Sequence, residues 1–315
     1  MLAKSVMAVL LASMWPQALT TGATPLAFED RAPRGDDRFE LHFGQDKTRR
    51  SADVFVYRAS THSVFGPVLF ILPGEKRNAL DYRDAWVDAA ERYGLMIIVP
   101  RFDSRDYRGS AGYNLANMLR EERRHRYDTP DVNDPEDWLF SDIERIFDHS
   151  VARYGLAQRR YDLFGHSAGG QIVHRMVMFA PEARINRAVA ANAGWYTAPE
   201  LNAPFPYGLA QTPQGIEPVE NAFDRQLVIM LGELDDRSER RGTLRQTRHA
   251  RRQGRGRVER GQFFYEKARE LADSADMELN WSLEVVDGVG HNYREMSRAA
   301  AHQLYGAPTV KYSSL

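Results

Sequence analysis

The chain has 315 residues, of which 43% are apolar and 27% charged, so it can bury a sizeable core and reads as a soluble protein. Forty-two Lys and Arg stand against 43 Asp and Glu, which leaves no overall field favouring nucleic acid or a membrane surface. With no cysteine, disulfides and lipidated thiols are excluded.

Residues 1–23 read as a secretory signal peptide. Met1 to Lys4 gives a short positive start, Ser5 to Trp15 is an uncharged apolar run too short to span a bilayer, and Pro16 with small residues follows up to Ala23. Cleavage is expected near Ala23, with Thr20 as a rival, and the expected compartment is the periplasm or outside the cell. Residues 24–315 are read as one domain, because strand and helix patterns alternate throughout although the length alone allows two domains.

In chain order, Asp37 to Phe43 and Ala52 to Arg58 form a closely spaced, antiparallel start. Strands are predicted at 67–72, 95–99, 160–164, 187–193, 226–231 and 281–286, with helices at about 79–93, 136–153, 169–179 and 260–275. That alternation predicts an α/β fold with a mostly parallel central sheet flanked by helices. Tyr107 to Pro135 is long and irregular, and is expected on the rim.

Gly165, His166, Ser167, Ala168 and Gly169 follow the strand-like Tyr161 to Phe164 and precede a helical run. This is a G-x-S-x-G nucleophile elbow, in which glycines relieve crowding at a strained strand-to-helix turn and aim the serine hydroxyl at a substrate. A serine hydroxyl is a weak nucleophile at neutral pH, so a histidine must take its proton and a carboxylate must orient that histidine. Leu227 to Leu231 empties into the acidic turn Gly232 to Asp236, where Asp235 is the expected acid and Glu233 and Asp236 are rivals. Trp281 to Val286 ends in Asp287 to His291, which makes His291 the expected base. His166 is read as a wall of the substrate site, since a sequence neighbour projects away from the serine. For the oxyanion, one donor is expected to be the Ala168 N–H and the other the Glu75 N–H, on the loop where Pro73 and Gly74 follow the strand.

Trp195 and Tyr196 are predicted to line the substrate pocket, lying after the sixth strand on the side where ligands meet parallel sheets. No metal-ligand spacing or phosphate-cradling loop is present, so no cofactor or metal is expected. Between the proposed acid and base, residues 237–260 hold ten arginines. This segment is expected to border the mouth of the site; it is either a solvated loop or a cap for an anionic substrate or polyanion.

These residues resemble the secreted α/β-hydrolase esterases of the polyhydroxybutyrate depolymerase and feruloyl esterase type. The resemblance spans roughly residues 53–305 through Gly74, Arg77 and Asn78, the segment Asp81 to Trp86, the elbow, Gly232 to Asp235 and Gly288 to His291. It implies an α/β-hydrolase fold, carboxylic-ester hydrolysis and triad roles for Ser167, Asp235 and His291. Pro73 stands where members of that family carry histidine, and acidic Glu75 follows. The expected activity is an exported serine esterase acting through an acyl-enzyme on a small-molecule or oligomeric ester, with no nucleic-acid partner and no membrane span after leader removal. Alternatives are a peptidase or acyltransferase with the same triad, or a non-catalytic polyanion-binding protein on this scaffold.

Overall fold

The computed structural model describes residues 33–45, 49–120, 131–212 and 217–306; the leader expected at 1–23 lies outside them. The elements, in order, are β1 (Gly35–Phe43), β2 (Arg50–Arg58), β3 (Val68–Leu72), α1 (Ala79–Tyr93), β4 (Met96–Phe102), α2 (Gly109–Gly112), α3 (Leu139–Tyr154), β5 (Tyr161–His166), α4 (Ala168–Phe179), β6 (Ile185–Ala191), α5 (Glu217–Ala222), β7 (Gln226–Gly232), α6 (Arg248–Gln253), α7 (Arg257–Ser274), β8 (Trp281–Val286) and α8 (Tyr293–Tyr305).

One eight-stranded sheet runs in the order β1-β2-β4-β3-β5-β6-β7-β8. β1 and β2 pair antiparallel, β2 meets β4 antiparallel, and every pair from β4 to β8 is parallel. The central strands are continuous apolar runs because both faces are covered. In β3, Val68, Phe70 and Leu72 enter the core packed with Phe147 of α3, Ile172 and Met176 of α4 and Phe264 of α7. Leu69 and Ile71 point the other way, to Trp86 of α1 and Met296 and Ala300 of α8. The period-two alternation of strands thus feeds two cores, one on each side of the sheet.

The α/β class, the antiparallel start and all eight predicted strands are present, with ends shifted by a few residues. The predicted helix at 136–153 begins later, at Leu139, because Pro135–Asp137 forms a 3₁₀ turn capped by the Asp134 carboxylate. Sequence reading missed α8, whose inward stripe of Met296, Ala300 and Leu304 is thin and diluted by Arg, His and Gln. That helix starts directly after His291, with the Asn292 side chain accepting the Arg294 N–H at 3.1 Å. Among the described residues no helix is long and apolar enough to cross a membrane.

Candidate active site

The loops after β3, β5, β7 and β8 all leave the carboxyl ends of parallel strands, so they gather over one edge of the sheet. Ser167 follows β5 in the left-handed region, at φ 58° and ψ −113°, a conformation that costs a non-glycine residue about 1–3 kcal/mol. The surroundings hold it there: its N–H donates to the Ala191 carbonyl at 2.9 Å and its carbonyl accepts the Gln171 N–H at 3.1 Å. Gly169 is obligatory in this turn, since a Cβ would fall inside the Leu72 carbonyl oxygen.

His291 Nε2 lies 3.1 Å from Ser167 Oγ, and His291 Nδ1 lies 2.6 Å from Asp235 Oδ2. Three side chains drawn from loops 56 to 124 residues apart therefore form one hydrogen-bonded chain. The rival acids are engaged elsewhere. Glu233 accepts the Gly288 N–H at 2.7 Å, and Asp236 accepts the Ser238 N–H and hydroxyl.

Several residues that sequence reading did not single out hold this geometry. Asn192, directly after β6, accepts the Gly232 N–H at 2.7 Å and donates to the Gly290 carbonyl at 3.2 Å, so one amide ties the loop carrying Asp235 to the loop carrying His291. Glu239 accepts the backbone N–H of His291 at 2.9 Å. Its carboxyl is held far below the usual carboxylate range, first by the Arg241 side chain and then by the N–H groups of Arg241 and His291. Arg257 donates from Nη1 to Asp235 Oδ1 at 2.9 Å; Asp235 is 0% and Arg257 1% exposed. The Asp235 carboxylate thus sits between an imidazole and a fixed cation. Only the density of charge in residues 237–260 hinted at such partners.

His166 is buried beside His291, with ring centroids 4.6 Å apart, and its Nδ1 lies 2.9 Å from the Tyr82 hydroxyl. Burial first, then the neighbouring His291 and Arg257 charges, push its imidazole well below the usual histidine value. Its ring lines the hollow around Ser167. The N–H groups of Ala168 and Glu75 donate to no other group among the described residues, and Gly74 packs against Ser167, where an added Cβ would lie 3.5 Å from the serine Cβ.

The two aromatic predictions part company. Trp195 lines a neighbouring hollow, where the guanidiniums of Arg175 and Arg245 lie 4.4 and 4.8 Å from its ring. Tyr196 is turned into the core, stacked on Phe264 at 4.6 Å and beside His174 at 5.0 Å, so it forms no wall of the site. The alternation of side-chain directions in that loop explains the split. Segment 237–260 does border the mouth through Arg240 to Thr243 and Arg245, but Arg257 and Arg260 are buried inside it. No group of three or more His, Asp or Glu among the described residues is placed to hold a metal ion.

The sheet order, the elbow and the converging loops define an α/β-hydrolase. Among solved structures, poly(aspartic acid) hydrolase-1 from Sphingomonas sp. KT-1 is similar at 32% identity and a TM-score of 0.79, covering 88% of this chain and 100% of that one. The poly(3-hydroxybutyrate) depolymerase of Bordetella parapertussis matches at 29% identity and a TM-score of 0.76, over 86% and 89% of the two chains. An S-formylglutathione hydrolase from Agrobacterium tumefaciens shares the fold at 15% identity and a TM-score of 0.54, over 87% and 95%. Neither a scan of protein-family models nor a search of curated proteins finds a match. The chain belongs to the polyhydroxybutyrate depolymerase-like family of hydrolases.

Proposed function

We propose that the protein is a serine esterase that cleaves carboxylic esters through Ser167, His291 and Asp235. The observation that carries this reading is the unbroken chain from Ser167 Oγ through the imidazole to the buried Asp235 carboxylate. In the tautomer with its proton on Nδ1, His291 donates to Asp235 and its Nε2 accepts from the serine hydroxyl. As Oγ bonds to the ester carbon, its proton passes to Nε2, and the carbonyl oxygen becomes an oxyanion within reach of the Ala168 and Glu75 N–H groups. Collapse breaks the bond to the alcohol oxygen, which takes the proton from Nε2 and leaves an acyl-serine. Water then gives its proton to Nε2, attacks the acyl carbon and releases the acid, and the proton returns to Ser167. Asp235 keeps its charge throughout and stabilises the transient imidazolium. The leader at 1–23 is proposed to route the protein out of the cytoplasm.

A fluorophosphonate probe is expected to label the folded protein on Ser167 and to label Ser167→Ala not at all. Hydrolysis of 4-nitrophenyl butyrate should fall at least about 10⁴-fold in that variant. Folded protein that neither labels nor turns over any ester in a panel of acyl, hydroxycinnamate and polyester substrates would overturn the reading.

A further inference from the structure

The hollow that holds Ser167 does not end at the triad. It shares Glu75, Lys76 and Thr243 with a second hollow of about 490 Å³, whose walls include Trp195, Tyr113, Arg77 and Arg245. Its charges are unevenly matched. Arg101 is spent on Asp53, and Asp103 on Arg105. Arg77 is half-buried, yet its guanidinium donates only to the carbonyls of Phe102 and Tyr107 at 2.8 Å and of Gly109 at 3.5 Å, and it lies 4.4 Å from the ring of Tyr113. No carboxylate is bonded to it among the described residues. Burial accordingly pulls its basicity below the usual arginine value. Around Ser167 itself, Lys76 and Arg240 bond their charged ends to no carboxylate among the described residues, and Arg294 lies 4.7 Å from the Tyr293 ring. Against these stand Glu75 and Asp81, and the latter is taken by the Asn78 amide.

Partly desolvated cations are normally paired, because a lone charge loses more hydration than neutral carbonyls return. A cation tied by carbonyls at the wall of an open hollow is already positioned, so an incoming anion gains its field without the cost of ordering a long side chain. We propose that the hollow beside Ser167 is a carboxylate-binding subsite, and that the preferred substrates are esters whose chain carries a free carboxylate near the scissile bond. Such substrates include hemi-esters of dicarboxylic acids and ester-linked hydroxy acids with a free terminus. The inference rests on the esterase reading above and specifies its substrate class.

The test compares matched substrates on the full chain. On the acyl side, 4-nitrophenyl hemi-esters of succinate, glutarate and adipate are set against the same molecules with the far carboxylate methylated. On the alcohol side, butyryl-3-hydroxybutyrate is set against its methyl ester. The free carboxylate should raise kcat/KM by about tenfold in at least one pair, the size of a charge-assisted contact. That preference should shrink toward unity in about 0.5 M salt, as the field is screened. It should also shrink in Arg77→Gln and in the exposed-rim variant Lys76→Gln, each checked for folding by fluorophosphonate labelling. Ratios of one or less in every pair, with neutral esters turned over and the probe bound, overturn the subsite and leave the esterase standing. Absence of labelling and of all turnover removes the esterase reading, and the subsite falls with it.

Discussion

Ser167 and its two hydrogen-bonded partners are held in place by different means. At the end of β5, Ser167 is fixed by backbone: a left-handed φ, two main-chain hydrogen bonds and a glycine whose missing Cβ leaves room for the Leu72 carbonyl. At the ends of β7 and β8, Asp235 and His291 are fixed by side chains from elsewhere, namely Asn192, Glu239 and Arg257. β8 is also an edge strand, bonded to β7 alone. A local backbone device tolerates almost no change, whereas a side-chain scaffold can be loosened by degrees.

The comparison breaks first at the elbow. Gly169→Ala should cost more than about 4 kcal/mol, because backbone must move to admit one methyl group; denaturant unfolding that shows less than about 1 kcal/mol would mean the turn is not rigid. Arg257→Met comes next. It removes the cation bonded to the buried Asp235 carboxylate and leaves the His291 imidazole as its remaining side-chain partner, and about 3 kcal/mol of stability should be lost together with most of the ester turnover. Arg257→Lys should recover part of both, and an unchanged Tm and rate in Arg257→Met would show the cation to be dispensable.

Glu239→Gln should have the smallest effect and a defined pH window. A carboxyl held below its unfolded value stabilises the fold fully above about pH 4.5, and that contribution fades as pH falls through the folded value. The Tm gap between the native chain and Glu239→Gln should therefore be constant from about pH 5 to 8 and narrow below it. A gap that widens on acidification would place the ionised carboxylate outside the fold's stabilising contacts.

Legibility in the sequence follows the same division. The elbow reads from five contiguous residues because its constraint is local, and Asp235 and His291 read from their place after apolar strands. The clamps do not read. Asn192 is an ordinary residue in a run of alanines and glycine, and its partners lie 40 and 98 positions away. Proximity in sequence to Trp195 suggests a pocket place for Tyr196, but neighbouring side chains in a loop need not share a direction, and its ring packs on Phe264. α8 escaped notice because a single thin apolar stripe over a packed helix is hard to separate from polar surroundings.

The burial of Arg257 and Arg260 changes what the arginine-dense segment offers to protein engineering. Arg260 donates to the carbonyls of Gly194 and Gly254, and Gln253 grips the backbone of Tyr196 on both sides, so this stretch is stitched into the molecule like internal rigging. Charge can be trimmed at solvent-facing Arg237, Arg248 and Arg255 to tune solubility. The same exchange at 257 or 260 would cut a stay of the frame.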